Sequence, residues 1–152
     1  MLLGLPEFEM VYADTVDAAS GLLSEKGAKT QLLAGGTDLL VLMKHKRKIP
    51  RRLINIKRIP DLDGIDYDPE AGLSIGALAT IQAVENSFDV AKKFPSVAQA
   101  ASVLGTSQIR NLGTLGGNLA NASPSAEFAP PLITLDATVC CQGPKGGREV
   151  GI

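Results

Sequence analysis

The first regular pattern in the chain is an apolar stripe at helical spacing, formed by Val16, Ala19, Leu22 and Leu23. Residues three and four positions apart lie on one face of a helix and can be buried together. Thr15 precedes the stripe as a favoured N-cap residue, and Gly27 follows its end. We therefore predict a first helix from Thr15 to Lys26.

Two short apolar runs, 30–33 and 53–56, enclose a segment with helical character. Short apolar runs of this kind are typical of buried strands. A helix between two strands is the connection that lets them pair in parallel. This part of the chain therefore predicts a small β-α-β unit.

After Pro60 the pattern changes to shorter elements that are separated by Pro and Gly. A Pro/Gly turn between β-prone arms indicates a hairpin, whereas Thr80 and the prolines 95, 130 and 131 suit the beginnings of helices. The predicted elements are hairpins at 65–68 with 73–75 and 137–142 with 148–152, and helices at 81–86, 95–104 and 128–135.

These elements predict an α+β fold in two lobes, joined by a connector at 60–64. Residues 1–60 form the small β-α-β lobe, and residues 61–152 form a mainly antiparallel sheet with helices. A cleft between lobes is a usual place for a ligand, so we expect the binding site there.

Composition excludes several function classes. Four Phe, two Tyr and no Trp argue against a protein that stacks single-stranded bases on aromatic rings. A formal net charge of −1 argues against a general polyanion binder. The opening segment, 1–6, is too short for the apolar region of a signal peptide and lacks a basic flank.

The same composition predicts a cytoplasmic chain without its own metal site. No stretch is long enough to span a bilayer. Cys140 and Cys141 are adjacent, so they face opposite sides of a strand, and His45 is remote from them. We interpret them as packed thiols in a reducing compartment, and we predict no metal or iron–sulfur cluster held by this chain.

A basic run places six cations within nine residues: Lys44, Lys46, Arg47, Lys48, Arg51 and Arg52. One interpretation is a solvated helix end and loop, since cations suit the C-terminus of a helix and charge runs often mark surface. The other is a docking surface for a partner subunit or an acidic electron acceptor. The sequence leaves both open.

The first candidate site is the segment that joins the run at 30–33 to the next helix. It reads Leu33-Ala34-Gly35-Gly36-Thr37-Asp38-Leu39, which predicts a strand, a tight turn, an N-cap at Thr37 and a helix. Unpaired amides in such a turn, with the positive end of the helix dipole, suit a phosphate. Neither G-x-G-x-x-G nor G-x-x-x-x-G-K-[ST] occurs, so the dinucleotide fold and the P-loop are poor candidates.

The second candidate site is a glycine- and asparagine-rich stretch, 111–124, with no acidic residue. Successive amides in such a loop can form a concave nest for anions, and its neutral polar side chains can bind phosphate or ribose. The alternative is a turn between two strands. The nearest cation, Arg110, has two interpretations as well: a structural ion pair or a phosphate contact.

Together the two stretches, with Ala122-Ser123-Pro124, resemble the FAD-binding subunit of the molybdenum hydroxylases. That family includes xanthine dehydrogenase, carbon monoxide dehydrogenase and 4-hydroxybenzoyl-CoA reductase. The spacers agree as well, at 53–56, 59–62, 75–77 and 109–111, and the resemblance extends from Phe8 to Val150. It implies the two-lobed FAD-binding fold of the vanillyl-alcohol-oxidase (PCMH) type.

The resemblance also assigns cofactor-binding residues. The amides after Gly36 would face the pyrophosphate, and Leu39 would lie towards the flavin. Asp38 is either a capping group or a ligand, and Glu127 stands where the family usually has Asp near the ribityl or ribose hydroxyls. The implied FAD-binding set is Leu33, Ala34, Gly35, Gly36, Thr37, Asp38 and Leu39, then Thr114, Gly116, Gly117, Asn118 and Asn121 as a diphosphate clamp, then Ser123, Ala126 and Glu127.

The implied function is electron transfer. Iron–sulfur clusters on one partner subunit would pass electrons to FAD, and a molybdopterin subunit would act on the substrate. No side chain here resembles an acid–base or nucleophilic catalyst, so the chemistry belongs to the cofactor. Family members continue past the position of Ile152, so we expect a C-terminally truncated chain.

Two other classes remain at this point. A stand-alone flavoprotein of the same fold would need its own substrate pocket and general base, and the sequence indicates neither. A truncated chain could also bind a nucleotide without redox activity, as a scaffold. Titration with ADP and FAD separates these classes, because equal affinity for both means that the flavin ring is not held.

Overall fold

The computed structural model describes residues 4–25 and 29–152, which form two compact units. One unit contains 1–60 with 140–148, and the other contains 61–139 with 149–152. The segment 140–148 thus groups with the first unit, whereas the sequence placed it in the second lobe. The assignment of the two parts as FAD-binding lobes stays a prediction.

The first unit is built on a three-stranded parallel sheet of order β1-β3-β2. Its strands are β1 (Glu9–Tyr12), β2 (Thr30–Leu33) and β3 (Arg52–Asn55), and Leu53 lies between Met10 and Gln31 in the register. The predicted parallel pairing of β2 with β3 is confirmed. Strand β1 was not predicted, because its alternation of Glu, Met, Val and Tyr leaves most of its side chains exposed.

Two helices accompany this sheet. Helix α1 (Val16–Ser24) begins at Thr15, whose hydroxyl accepts a hydrogen bond from the Ala18 amide at 3.1 Å, so the predicted cap is confirmed. The predicted helix end at Lys26, the following Gly27 and the opening residues 1–3 lie outside the described residues. Helix α2 (Leu39–Lys44) packs Met43 against Leu33 and Leu53.

The second unit opens with the predicted hairpin, formed by β4 (Ile65–Asp68) and β5 (Gly72–Ile75) in antiparallel pairing. The Asp68 carboxylate accepts the amides of Glu70 and Ala71, both at 2.8 Å. The Ala71 and then the Glu70 amide stabilise the charged form, so the pKa of Asp68 lies below its ordinary value. The side chain therefore fixes the turn that the Pro/Gly pattern predicted.

Helices supply most of the core of the second unit. Phe128, Val84, Val90 and Val97 are its largest fully buried side chains. Thr80 caps α3 as predicted, with the Ala83 amide at 3.1 Å. The helices are α3 (Ile81–Asn86), α4 (Phe88–Lys93), α5 (Pro95–Val103), α6 (Ser107–Arg110), α7 (Leu115–Asn121) and α8 (Ala129–Thr134).

The last element is a two-stranded hairpin of β6 (Thr138–Gly143) and β7 (Gly146–Gly151), as predicted. The antiparallel strands thus form hairpins rather than one larger sheet. The mixture of helices and strands agrees with the α+β class. Within residues 4–25 and 29–152, no helix has the length and apolar character needed to cross a membrane.

Gly76 provides a test of the backbone packing in the second unit. A Cβ atom at Gly76 would lie 2.2 Å from the carbonyl oxygen of Leu62, which also accepts the Leu78 amide at 2.6 Å. Because backbone atoms cannot move aside cheaply, we expect Gly76→Ala to lower the free energy of unfolding by about 2 kcal/mol or more. Urea denaturation measures this loss.

The matched control is Gly21→Ala within α1, where the new Cβ has no neighbour within 4 Å. We expect this variant to gain about 0.5–1 kcal/mol, because alanine loses less backbone entropy in a helix. Equal stabilities for the two variants would contradict the packing at Gly76.

Candidate functional site

The first candidate loop, 34–38, joins the end of β2 to the beginning of α2. Gly36 has a φ of 75°, in the left-handed region that glycine adopts without strain. A Cβ atom at this position would lie 3.0 Å from Leu33 Cδ1 and 3.2 Å from Leu40 Cδ1. The turn thus needs a glycine both for its backbone angle and for its contact with the apolar core.

This loop leaves backbone donors without a protein acceptor. The Gly36 carbonyl accepts the Leu40 amide at 3.0 Å, and the Asp38 carbonyl accepts the Leu42 amide at 2.9 Å. The amides of residues 35–39, by contrast, donate to no other group in the described part of the chain. Consecutive amides of this kind form a site for an anion such as a pyrophosphate.

The predicted N-cap at Thr37 is wrong. Asp38 occupies the N-cap position, and its side chain accepts no capping hydrogen bond. The helix begins one residue later than expected, because the carbonyl of Asp38 accepts a helical hydrogen bond, from the Leu42 amide at 2.9 Å, whereas the carbonyl of Thr37 accepts none from the described residues. The Thr37 hydroxyl therefore stays available to a ligand, and the capping interpretation of Asp38 has no hydrogen bond to support it.

The second candidate stretch is not a loop, because half of it forms helix α7. Thr114 is its N-cap, and the buried hydroxyl accepts the Gly117 amide at 3.0 Å. The helix ends at Ala122, which has a left-handed φ of 48°. The expected open nest of amides is therefore absent from residues 115–118, since Leu115 and Gly116 donate to the Ala79 and Ala77 carbonyls and the next two amides donate to Thr114.

The beginning of α7 is held by backbone pairing with the segment before α3. Thr80 and Thr114 form an antiparallel bridge, flanked by hydrogen bonds from Ile81 N to Gly113 O and from Leu115 N to Ala79 O, both at 3.0 Å. The two threonines also cap α3 and α7. One short stretch of extended chain thus fixes where both helices begin.

Gly116 has a packing reason of its own within this pairing. Its amide donates to the Ala77 carbonyl at 3.1 Å, and a Cβ atom at Gly116 would lie 2.6 Å from that oxygen. At Gly117 a Cβ atom would lie 2.8 Å from the Thr114 hydroxyl. Both amides are engaged by the protein, so neither glycine offers a free donor to a diphosphate.

Asn118 carries the polar atom of this helix that most clearly lacks a partner. Its side-chain oxygen is buried and has no hydrogen-bond partner in the structure. An unpaired buried acceptor is costly, so it indicates a missing donor such as a hydroxyl or an N–H group. Asn121, at the other end of α7, is exposed.

Residues 123–127 form a turn between α7 and α8. The hydroxyls of Ser123 and Ser125 lie 3.1 Å apart, and Ala126 is buried. Glu127 lines a groove of about 430 Å³. The groove lies between α5 and α8, and its other lining residues are Ser96, Gln99, Ala100, Val103, Pro130, Pro131 and Thr134.

Arg110 forms a structural ion pair. Its guanidinium lies 2.7 Å from the Glu85 carboxylate and donates to the Leu104 carbonyl at 3.2 Å. These contacts join α6 to α3 and to the end of α5. The structure thus supports the first of the two interpretations of this residue.

No group of three or more His, Cys, Asp or Glu side chains within 4–25 and 29–152 is arranged to hold a metal ion. His45 is exposed at the end of α2. Each unit thus offers polar groups of its own: the loop 34–38 has free amides and the Thr37 hydroxyl, and α7 has the Asn118 carboxamide. These groups fit a cofactor with a pyrophosphate and sugar hydroxyls, as FAD has.

Sequence reasoning missed the segment 77–80, which positions α7. The available signals were Gly76, next to this segment, and Thr80, which was interpreted only as a cap for α3. A glycine before a small-residue run can mark a close approach of two backbones. No residue pattern indicated which backbone would be approached.

Comparisons with known proteins agree with the fit of these polar groups to FAD. The family described as FAD binding domain in molybdopterin dehydrogenase matches residues 6–152. The alpha subunit of the 6-hydroxypseudooxynicotine dehydrogenase complex of Paenarthrobacter nicotinovorans is 35% identical over 145 residues, covering 95% of this chain and 49% of the relative. The nicotinate dehydrogenase FAD-subunit of Eubacterium barkeri is 35% identical over 147 residues, with coverages of 96% and 49%.

Among solved structures, carbon monoxide dehydrogenase of Hydrogenophaga pseudoflava matches with a TM-score of 0.91 and 35% identity, over 97% of this chain and 51% of that one. The chain thus spans about half the length of the curated relatives it matches. The predicted fold, the resemblance and FAD as the cofactor are confirmed. The chain belongs to the family of FAD-binding domains of molybdopterin dehydrogenases.

Proposed function

We propose that the chain is the FAD-binding part of an electron-transfer subunit in a molybdenum hydroxylase-type oxidoreductase. An iron–sulfur subunit supplies electrons, a molybdopterin subunit acts on the substrate, and an external acceptor takes the electrons from FAD. The names of the relatives, which are dehydrogenase subunits, support this proposal. The single observation that carries it is the loop 34–38 with its unpaired amides.

In this proposal the amides of residues 35–39 bind the pyrophosphate. They are the donors that the structure leaves free, and their orientation is fixed by the turn at Gly36. Fixed donors lose little freedom on binding, so they favour the bound anion. The Asp38 carboxylate would repel a phosphate, which assigns it to a sugar hydroxyl or to solvent.

The role of α7 differs from a diphosphate clamp. Gly116 lets the helix approach the Ala77 backbone closely, and Gly117 leaves room for the Thr114 hydroxyl that caps the helix. In this proposal the two glycines shape the surface and do not bind the anion. Asn118 presents an acceptor, which suits a ribityl or ribose hydroxyl. Leu33 is buried in the apolar core and Leu39 packs against this core, so the core holds the two residues that flank the loop. Thr37, Asn121, Ser123 and Glu127 remain proposed polar contacts.

The isoalloxazine of FAD supplies the redox chemistry when it is bound. In this proposal the chain holds the cofactor in position and needs no general acid or base. The chain covers 49% of each of these two relatives, and in this proposal the substrate is bound by the molybdopterin subunit.

The direct test is a titration of the purified chain with FAD and with ADP, followed by desalting and visible absorption spectroscopy. We expect tighter binding of FAD than of ADP, because the flavin and ribityl groups add contacts that ADP cannot make. Retained flavin bands after desalting support the proposal. Equal affinities would instead favour the nucleotide-binding scaffold, and a colourless chain with no affinity for either would contradict both.

The first loop is tested by Gly36→Ala. The methyl group would clash with Leu33 and Leu40 and force the loop away from its left-handed φ. We expect FAD affinity to fall at least about tenfold, or about 1.4 kcal/mol. Isothermal titration calorimetry measures the affinity.

The matched control is Gly72→Ala in the β4–β5 turn. Gly72 has a φ of 88°, and a Cβ atom there has no neighbour within 4 Å. Both variants carry left-handed strain of about 1–2 kcal/mol, but only Gly36 lies in the proposed site. A similar loss of FAD affinity in both variants would assign the effect to stability and not to the loop.

Asn118→Leu tests the buried acceptor. Leucine is similar in size and removes the unpaired oxygen, so we expect the free protein to keep or gain stability. FAD affinity should fall about five- to tenfold, since a hydrogen bond is worth about 1 kcal/mol. Thermal unfolding with and without FAD measures both effects.

Asn86→Leu serves as the control at the exposed end of α3. It should leave FAD affinity unchanged. Unaltered FAD affinity in Asn118→Leu would show that the cofactor does not supply the missing donor.

A further inference from the structure

The charges of this chain are divided between its two units. Twelve of the 15 Lys and Arg residues but only six of the 16 Asp and Glu residues lie in 1–60 and 140–148. That unit has a formal charge of +6, and the other unit has −7, which together give the net −1 of the chain. The near-neutral total therefore conceals a basic unit that can attract an acidic partner.

The basic segment, defined here as residues 44–52, is the densest part of this charge. From Leu39 to Pro60 the chain has eight Lys and Arg and no Asp or Glu. Five cations of the basic segment are exposed and form no salt bridge with any described residue: Lys44, Lys46, Arg47, Lys48 and Arg51. Only Arg52 is paired, with Glu9 and Glu25.

The backbone that carries these cations is fixed. The amides of Arg47 and Lys48 both donate to the Leu42 carbonyl, at 2.8 and 3.3 Å, which folds the segment back on the end of α2. Lys46 has a φ of 55°, at a position after a helix where glycine is usual. The charges are thus presented on a defined turn, at the cost of left-handed strain at a lysine.

The composition of this surface favours a short-lived complex. Stable interfaces have cores that are depleted of charge, and lysine in particular is depleted in them. Here lysine and arginine surround Ile49, which is 51% exposed. This composition suits instead a small interface to which the partner is drawn by electrostatic steering. Electron-transfer complexes have interfaces of this small, weak kind.

The position of the segment connects it to the cofactor loop. Helix α2 begins directly after the loop 34–38 and ends at Lys44, and its six residues span about 9 Å. A protein docked on the basic segment would therefore lie one short helix away from the proposed pyrophosphate site.

We propose that the basic segment is the docking surface for an acidic electron-transfer protein that accepts electrons from the bound FAD. This inference rests on the proposed function for its redox part. The acceptor gains one electron in each encounter, so two encounters reoxidise the two-electron-reduced cofactor and two protons pass to solvent. A nucleic acid is a poorer fit, because residues 39–60 contain no Phe, Tyr or Trp on which bases could stack.

The test uses the full-length protein loaded with FAD and reduced with dithionite. Plastocyanin, an acidic blue-copper protein, is the probe, and basic cytochrome c is the probe of opposite charge. Stopped-flow spectroscopy gives the second-order rate constants for reduction of each probe. We expect the plastocyanin rate constant to fall at least about tenfold between low salt and 0.5 M salt, because screening removes the steering (about 4 Å Debye length).

The decisive variant reverses three charges, Lys46→Glu, Arg47→Glu and Lys48→Glu. The control reverses three exposed cations elsewhere, Lys92→Glu, Lys145→Glu and Arg148→Glu, so the two variants have the same net charge. We expect the first variant to reduce plastocyanin about tenfold more slowly at low salt and to lose most of the salt dependence. The control should retain the rate of the unaltered protein to within about a factor of two.

Equal rates in the two variants would overturn the proposal, because net charge and not the basic segment would then control the encounter. Loss of DNA oligonucleotide binding in the first variant, with plastocyanin reduction unchanged, would assign the surface to nucleic acid. Flavin absorption and the melting temperature are measured beforehand for each variant. If the unaltered protein bound no flavin, that result would contradict the proposed function but not the docking surface. Carbodiimide cross-linking of plastocyanin to Lys44, Lys46 and Lys48 would then test the docking surface without the cofactor.

Discussion

The antiparallel pairing of Thr80 with Thr114 is the interaction on which the second unit depends. It places two extended segments side by side at the point where α3 and α7 both begin. Each threonine has two tasks: its backbone lies in the bridge, and its hydroxyl caps the helix that follows. A change at either residue therefore affects two helix beginnings together, and through α7 it alters the position of Asn118.

This pairing also explains why a glycine-rich stretch is helical. Glycine disfavours a helix by about 1 kcal/mol relative to alanine, so Gly116 and Gly117 needed a compensating contact. Gly116 gains it by approaching Ala77 to a distance that no other residue allows, and Gly117 gains it from the cap at Thr114. Gly116 thus marks a contact between two backbones and Gly117 a helix cap, and the same pattern in a sequence is easily interpreted as a binding loop.

Local patterns predicted the elements whose signals lie within a few residues. The cap at Thr15, the hairpin around Pro69 and the parallel pairing of β2 with β3 were all available from spacing and turn chemistry. Helix α7 was not, because its beginning depends on a distant partner, the segment 77–80. The unpaired amides of the first loop were expected from its Gly-Gly turn, although the expected N-cap at Thr37 was wrong. The cofactor itself was predicted from resemblance, since amide donors alone suit many anions.

The two parts of the proposed electron path use different kinds of electrostatic attraction, and α2 lies between them. In the proposed path the loop 34–38 would attract an anion through the dipoles of its neutral amides, which act over a few ångströms and cost little when the site is empty. The basic segment uses full charges, which act over about a Debye length and are weakened by salt. A partner steered by long-range charge thus need not compete with the pyrophosphate, because the amides bind only what fits against them. This division allows tight binding of a resident cofactor and rapid exchange of a mobile protein on one small parallel sheet.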